Sequence, residues 1–355
     1  MEQKENLKSE KTRRKVCVLL WVLVGISLIA VIGYHYEVWE KYLNPYKDRR
    51  VGGRNFIIDG QESLAVSGGL LYYCDVSNYA LCSYNLETKE IRILEEKTGV
   101  LKKTGTGIYY IVDFEVYRVF EGALSFVCRI PADVMNGVKF IDIDKDAAYW
   151  IESKAQPEAD EAAEKEGLPC SFVYSGNITG ENEPKLLFQT DGIVRDAVFV
   201  HQNIYVMTQN GVYKVELETG ETAKLSDLQG RKFCFDEIHI VFQEYSEDED
   251  ERNYYEILPD GKIKELAACT GYAGNKSAAV VQGKLYYIDN DWLRVCDLTA
   301  ETIQEEPLFE LKLSARWLEM YEQEVILRQD FICGAGDIWV CDLESGVKER
   351  VIDQD

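Results

Sequence analysis

Residues 71–89 read LYYCDVSNYALCSYNLETK, and residues 285–299 read LYYIDNDWLRVCDLT. Both stretches open on Leu-Tyr-Tyr, pass through a short polar break and re-enter a β-type run. Both then close on a polar turn, Asn85-Leu86-Glu87-Thr88 in one and Asp297-Leu298-Thr299 in the other. Two landmarks kept in one order mark a repeating unit rather than an isolated hairpin.

Working outward, the first landmark returns as Ile108-Tyr109-Tyr110, Ala148-Tyr149-Trp150 and Ile204-Tyr205-Val206, with Ile238-His239-Ile240 and Val325-Ile326-Leu327 as degenerate copies. Its central residues are spaced by 37, 40, 56, 34, 47 and 40. The second landmark returns as Val215-Glu216-Leu217-Glu218-Thr219-Gly220 and as Cys341-Asp342-Leu343-Glu344-Ser345-Gly346. A period near forty, with four short strands per unit, predicts the blades of a β-propeller, an all-β fold. The repeat count gives seven blades starting near residues 61, 98, 136, 194, 232, 275 and 313, with six or eight as the alternatives. The run Arg54 to Asp59 reads as an extra strand able to join the last sheet and close the ring. Residues 154–169 and the acidic run Ser246 to Glu251 read as inserted loops.

One four-stranded blade cannot bury both of its faces, whereas radial stacking covers each face with the next blade. The repeated aromatics Tyr72, Tyr109, Tyr149, Tyr205 and Tyr286 are therefore expected to fill the space between blades rather than to stack a ligand.

Upstream, Val16 to Gly33 reads VCVLLWVLVGISLIAVIG, and no charged residue lies between Lys15 and Glu37. Residues 16–36 are long enough to cross a hydrocarbon core of ~30 Å as a helix. Residues 1–15 hold six basic residues against three acidic ones, which places this tail in the cytoplasm and the chain beyond the span outside. No Ala-x-Ala site follows the span, so it reads as an uncleaved anchor, a single-pass membrane segment. Residues 37–52 form a juxtamembrane linker and 53–355 the extracytoplasmic ring.

The chain carries a net charge of −23. Such a field repels nucleic acid and favours cationic partners or divalent ions. Of ten cysteines, nine lie beyond the span, an odd number that cannot all pair within the chain. Cys74 with Cys82 and Cys333 with Cys341 are each eight apart around an expected hairpin turn, a spacing that permits a disulfide if the turn is centred between them. A one-residue shift of register would send the two thiols to opposite faces and leave them as buried, reduced, small apolar residues.

The aromatic landmarks Leu285-Tyr286-Tyr287-Ile288-Asp289, Leu71-Tyr72-Tyr73-Cys74-Asp75 and Ala148-Tyr149-Trp150-Ile151-Glu152 resemble the Tyr-Trp-Thr-Asp pattern of low-density-lipoprotein-receptor-like propellers. That family has six blades, and none of these copies has its Thr. The turn landmark is similar to those of pyrroloquinoline-quinone-type and kelch-type propellers. The layout resembles membrane-anchored bacterial propeller proteins of unknown function. The resemblance implies a fold and a tendency to bind protein.

Asp142, Asp144 and Asp146 alternate as at the start of a calcium loop, but Gly at the sixth position and Glu at the twelfth are missing, so a hairpin is expected there. The three histidines are His35, His201 and His239, the last expected in a strand. No nucleophile elbow, zinc spacing or phosphate-binding Gly loop occurs, and no cofactor is expected. The expectation is a non-catalytic recognition or scaffold module for a protein, peptide or cell-envelope ligand. The alternative is a surface hydrolase or lyase acting on glycans or peptides in the central funnel.

Overall fold

The computed structural model describes residues 64–353, apart from 76–79, 98, 133–135, 155–169, 237, 245–250, 271–277, 301–304, 313–314 and 330–335. Seven antiparallel sheets of four strands follow one another along the chain, each a simple meander. They span residues 64–95, 100–129, 136–190, 194–226, 230–270, 278–310 and 315–352, and are numbered here as blades 1 to 7. It is a seven-bladed β-propeller. The blade starts read from the repeat differ from the first strands by three residues at most. The count thus departs from the six blades of the receptor-like family.

The packing explains the ring. The described core divides into seven apolar clusters, and each joins one blade to the next. Side chains alternate along the second strand of a blade, so successive residues serve opposite joints. In blade 2, Ile108 and Tyr110 pack toward blade 1 while Tyr109 and Ile111 pack toward blade 3. Tyr72, Tyr109 and Tyr149 are buried, and Tyr205 and Tyr286 are half-buried. All five point at the following blade.

Blade 5 departs from the expected alignment. His239 lies in the 236–239 connection, before the second strand Ile240–Glu244, and not within a strand. Val241 takes the core position toward blade 6. The first two strands are joined through four residues, as in blade 2, so the second strand starts after His239 and its second residue, Val241, is the counterpart of Tyr109.

The turn landmark works as an Asx turn between the third and fourth strands. Asn85 Oδ1 accepts from the N–H of Glu87 and Thr88 at 2.9 and 2.8 Å. Asp297 and Asp342 accept in the same way from Thr299 and Ser345. The backbone then turns left-handed at Lys89 (φ 63°), Gly220 (φ 76°) and Gly346 (φ 67°), a conformation in which Gly carries no steric cost.

Blade 7 draws all four of its strands from residues 315–352. The expected extra strand at 54–59 lies outside the described residues. So do the tail 1–15, the apolar span 16–36, the linker 37–52 and both expected loop insertions, apart from Lys154 at the end of a strand and Glu251 at the start of one. Among the described residues no helix is long and apolar enough to cross a membrane.

The cysteine register resolves one alternative. Tyr73 stands opposite Cys82 and Cys74 opposite Leu81, so the two thiols occupy opposite faces of the sheet. Cys74 packs toward blade 2 and Cys82 toward blade 7, and both are free thiols. A 74–82 disulfide is therefore excluded by geometry. Cys341 is a buried free thiol at the joint with blade 6, and Cys333 lies outside the described residues.

Candidate functional site

The first strand of every blade lines the ring axis. Short apolar strands such as Leu64–Ser67 and Ala278–Val281 leave room there. The result is a cavity of about 130 Å³ walled by five first strands. Blade 5 contributes Lys232 to Phe235, blade 6 Ala278 to Val281, and blades 1, 2 and 7 contribute Leu64, Lys103 with Thr104, and Leu318 with Glu319.

One end of this space is spanned by the Thr104-Gly105-Thr106-Gly107 connection of blade 2. A Cβ placed on Gly105 would lie 3.5 Å from the Phe199 carbonyl of blade 4 and 3.6 Å from the Phe235 ring of blade 5. The connection therefore reaches across the axis to the opposite blades. Asp142, fully buried on the first strand of blade 3, pins it. Thr104 Oγ1 donates to Asp142 Oδ1 at 2.7 Å, and Thr106 Oγ1 donates to the same oxygen. With its proton so committed, Thr106 accepts from the Tyr109 hydroxyl at 2.9 Å. Asp142 Oδ2 has no partner among the described residues. Burial pushes the Asp142 carboxyl above its ordinary pKa, against the opposing pull of the two threonines, the Ile143 N–H and the Lys102 charge.

Other polar groups of the inner ring tie neighbouring blades together. Lys102 Nζ donates to the Phe140 carbonyl at 2.9 Å, and Lys139 Nζ to the Arg195 carbonyl at 3.2 Å. Asp196 accepts from the Phe233 N–H at 2.9 Å, and Asp236 from the Gly283 N–H at 3.0 Å. Lys103 and Glu319 form an ion pair at 2.5 Å from blade 2 to blade 7. Hydrogen bonds of this kind are worth most where water is excluded.

The sequence-derived candidates separate here. Asp142 is buried, Asp144 is half-buried beside the turn, and Asp146 is exposed within the two-residue Lys145–Asp146 turn of the expected hairpin. Among the described residues no group of three or more His, Cys, Asp or Glu could hold a metal ion. His239 Nδ1 lies 2.5 Å from Glu256 Oε1, both well shielded, at the joint where Asp236 meets blade 6. Sequence reasoning missed Lys103, Lys232, Asp196, Asp236 and Glu319. The legible signal was their place in the first strand of a unit or directly after it, the strand nearest the axis.

No family model matches the chain, and no curated protein does. Solved structures match in fold. An oligogalacturonate lyase in complex with manganese superposes with a TM-score of 0.57 at 12% identity, over 82% of this chain and 90% of that one. A puromycin-hydrolyzing peptidase of Mycobacterium tuberculosis superposes with a TM-score of 0.54 at 11% identity, over 83% of this chain and 53% of that one. The nidogen/laminin complex gives a TM-score of 0.43 at 14% identity, over 70% of this chain and 90% of that one. At these identities the likeness is one of architecture alone.

Proposed function

We propose that the ring is a non-catalytic recognition module, held outside the cytoplasm by the apolar segment 16–36 and presenting one face to a protein, peptide or cell-envelope ligand. The supporting observation is the use made of the inner-ring polar groups. Lys102, Lys139, Asp196 and Asp236 are bound to the backbone of an adjoining blade, which makes the axis a rigid wall rather than a set of groups poised for proton transfer. A rigid scaffold leaves specificity to the connections and faces around it. The net charge of −23 suits a partner that brings cationic groups.

Two experiments test the reading. Protease added to intact spheroplasts is expected to digest the chain beyond residue 50 and spare the tail; protection of the ring overturns the anchoring. Photo-crosslinkers introduced on the ring surface of intact cells are expected to trap a discrete partner, with lower yield as salt rises, since exposed charges are screened beyond ~8 Å at physiological ionic strength. Absence of any adduct from a full set of surface positions overturns the module.

A further inference from the structure

The first strands are an electrostatic exception within this protein. The chain as a whole carries a net charge of −23, yet the seven first strands hold seven Lys or Arg residues against four Asp or Glu. Blade 2 supplies Lys102 and Lys103, and blade 5 supplies Arg231 and Lys232. The acidic excess is thus confined to the outer strands, the connections and the terminal segments.

Two of these cations reach the cavity on the axis. Lys103 and Lys232 line it from blades 2 and 5, and Glu319, paired to Lys103, lines it from blade 7. Lys232 is half-buried and has no carboxylate partner among the described residues. A partly desolvated ammonium beside apolar walls is an unfavourable arrangement unless an anion completes it. The apolar walls contributed by Ala278 to Val281, Phe233 and Phe235 lower the local polarity and strengthen any such contact.

We propose that the axial cavity binds a small oxyanion, a carboxylate or phosphate group, held by Lys232 and, on its far side, by Lys103. The cavity volume of about 130 Å³ is room enough for one phosphate or a short-chain carboxylate. The field does the selecting: the lining carries two cations, Lys103 and Lys232, against the one carboxylate of Glu319, and the acidic exterior lies farther off and is screened. The inference deepens the recognition reading by giving the ligand class of the ring's interior. It rests on that reading only in treating the anion as bound rather than transformed.

Cys234 provides a native reporter, because it lines the same cavity beside Lys232. The full-length protein in detergent is titrated with inorganic phosphate and with acetate by calorimetry. Alkylation of Cys234 by iodoacetamide is followed in parallel by peptide mass mapping. Saturable binding of either anion is expected, with protection of Cys234 and weakening at higher ionic strength. Lys232→Met is expected to lower affinity about tenfold, as for loss of one charge-assisted contact. Lys232→Arg should retain binding, and Lys262→Met, on an exposed turn, should leave it unchanged.

No saturable binding of phosphate or acetate to the native protein overturns the proposal, and so does equal affinity in Lys232→Met. If Lys232→Met does not fold, calorimetry on the native protein and on Lys232→Arg decides. If Cys234 proves unreactive, calorimetry again decides. A partner trapped by surface crosslinking alongside a failure of anion binding would remove this inference and leave the recognition reading standing.

Discussion

The joint between blades 3 and 4 and the joint between blades 7 and 1 solve the same packing problem differently. At the 3–4 joint most of the contact is apolar, and the polar bonds, Lys139 Nζ to the Arg195 carbonyl and the Val194 N–H to Ser171 Oγ, lie at the first strand of blade 4. Tyr149 stacks on Phe199 with centroids 5.4 Å apart, Phe188 meets Tyr213 at 5.2 Å, and Val173, Ile204, Val206 and Val215 fill the rest. At the 7–1 joint, Leu71 and Tyr73 pack on Ile326, Ile338 and Val340, but polar groups join them. Arg328 of blade 7 is almost fully buried and its Nη2 donates to the Cys74 carbonyl of blade 1 at 3.1 Å. At the rim, Lys89 and Glu349 form an exposed ion pair at 3.3 Å.

The difference follows from connectivity. Blades 3 and 4 are joined by residues 191–193, so the chain itself holds their faces at high effective concentration. Blades 7 and 1 have no such link, since Cys74 and Arg328, which bond across the seam, are 254 residues apart in sequence, and they must find each other through contacts alone. Where the chain supplies register, apolar burial is supplemented by part-buried bonds such as Lys139 to the Arg195 carbonyl, whereas the bond at the seam is fully buried. Closing a ring between its two ends gains from a directional bond that only the correct partner satisfies.

Each joint can be broken in turn. Tyr149→Ala is expected to destabilise the protein by about 3–5 kcal/mol, as for other large aromatic truncations. In denaturant unfolding the loss should be global, with hydrogen exchange accelerating evenly around the ring. Arg328→Ala is expected to cost about 1.5–3 kcal/mol, the worth of a hydrogen bond to a charged donor. Its signature is different: exchange in blades 1 and 7 should quicken more than in blades 3 and 4, because the ring opens at its seam. Equal acceleration everywhere would remove the distinction between the joints.

Asp236 sharpens the comparison at a third joint, between blades 5 and 6. Burial would raise its pKa, but the N–H groups of His239, Gly283 and Ile238 outweigh burial and hold the carboxyl below its ordinary value. A carboxyl depressed in the folded state contributes stability above its unfolded pKa of about 3.9, and that contribution is lost as pH falls through the folded value. Asp236→Asn is expected to cost about 1 kcal/mol near neutral pH and to flatten the acid limb of the stability profile. An unchanged acid limb would show that the bond to Gly283 does not hold the blades. The smallest effect belongs to the rim of the closing seam. Glu349→Gln should change stability by less than about 1 kcal/mol and lose even that at high salt, because the pair is exposed.

The alternation of apolar and aromatic residues and the polar turns after the third strands were legible in residues 71–89 and 285–299, and the period near forty in the further copies of the first landmark. They specify the all-β repeat and place its units to within three residues, with seven as the repeat count and six or eight as alternatives, because strand periodicity and turn chemistry are local properties. What the sequence left open depended on single-residue register and on the meeting of distant strands. Cys74 and Cys82 were consistent with two arrangements until the pairing of Tyr73 with Cys82 chose between them. His239 sat in an apparent landmark until a four-residue connection moved Val241 into its place. Arg328 at the seam, Asp142 beneath the Gly105 connection, and Lys103 with Lys232 on the axis are brought to their neighbours only by closure of the ring. A blade can be read from its own forty residues, but the axis and the seam belong to no single blade, so only the closed ring determines them.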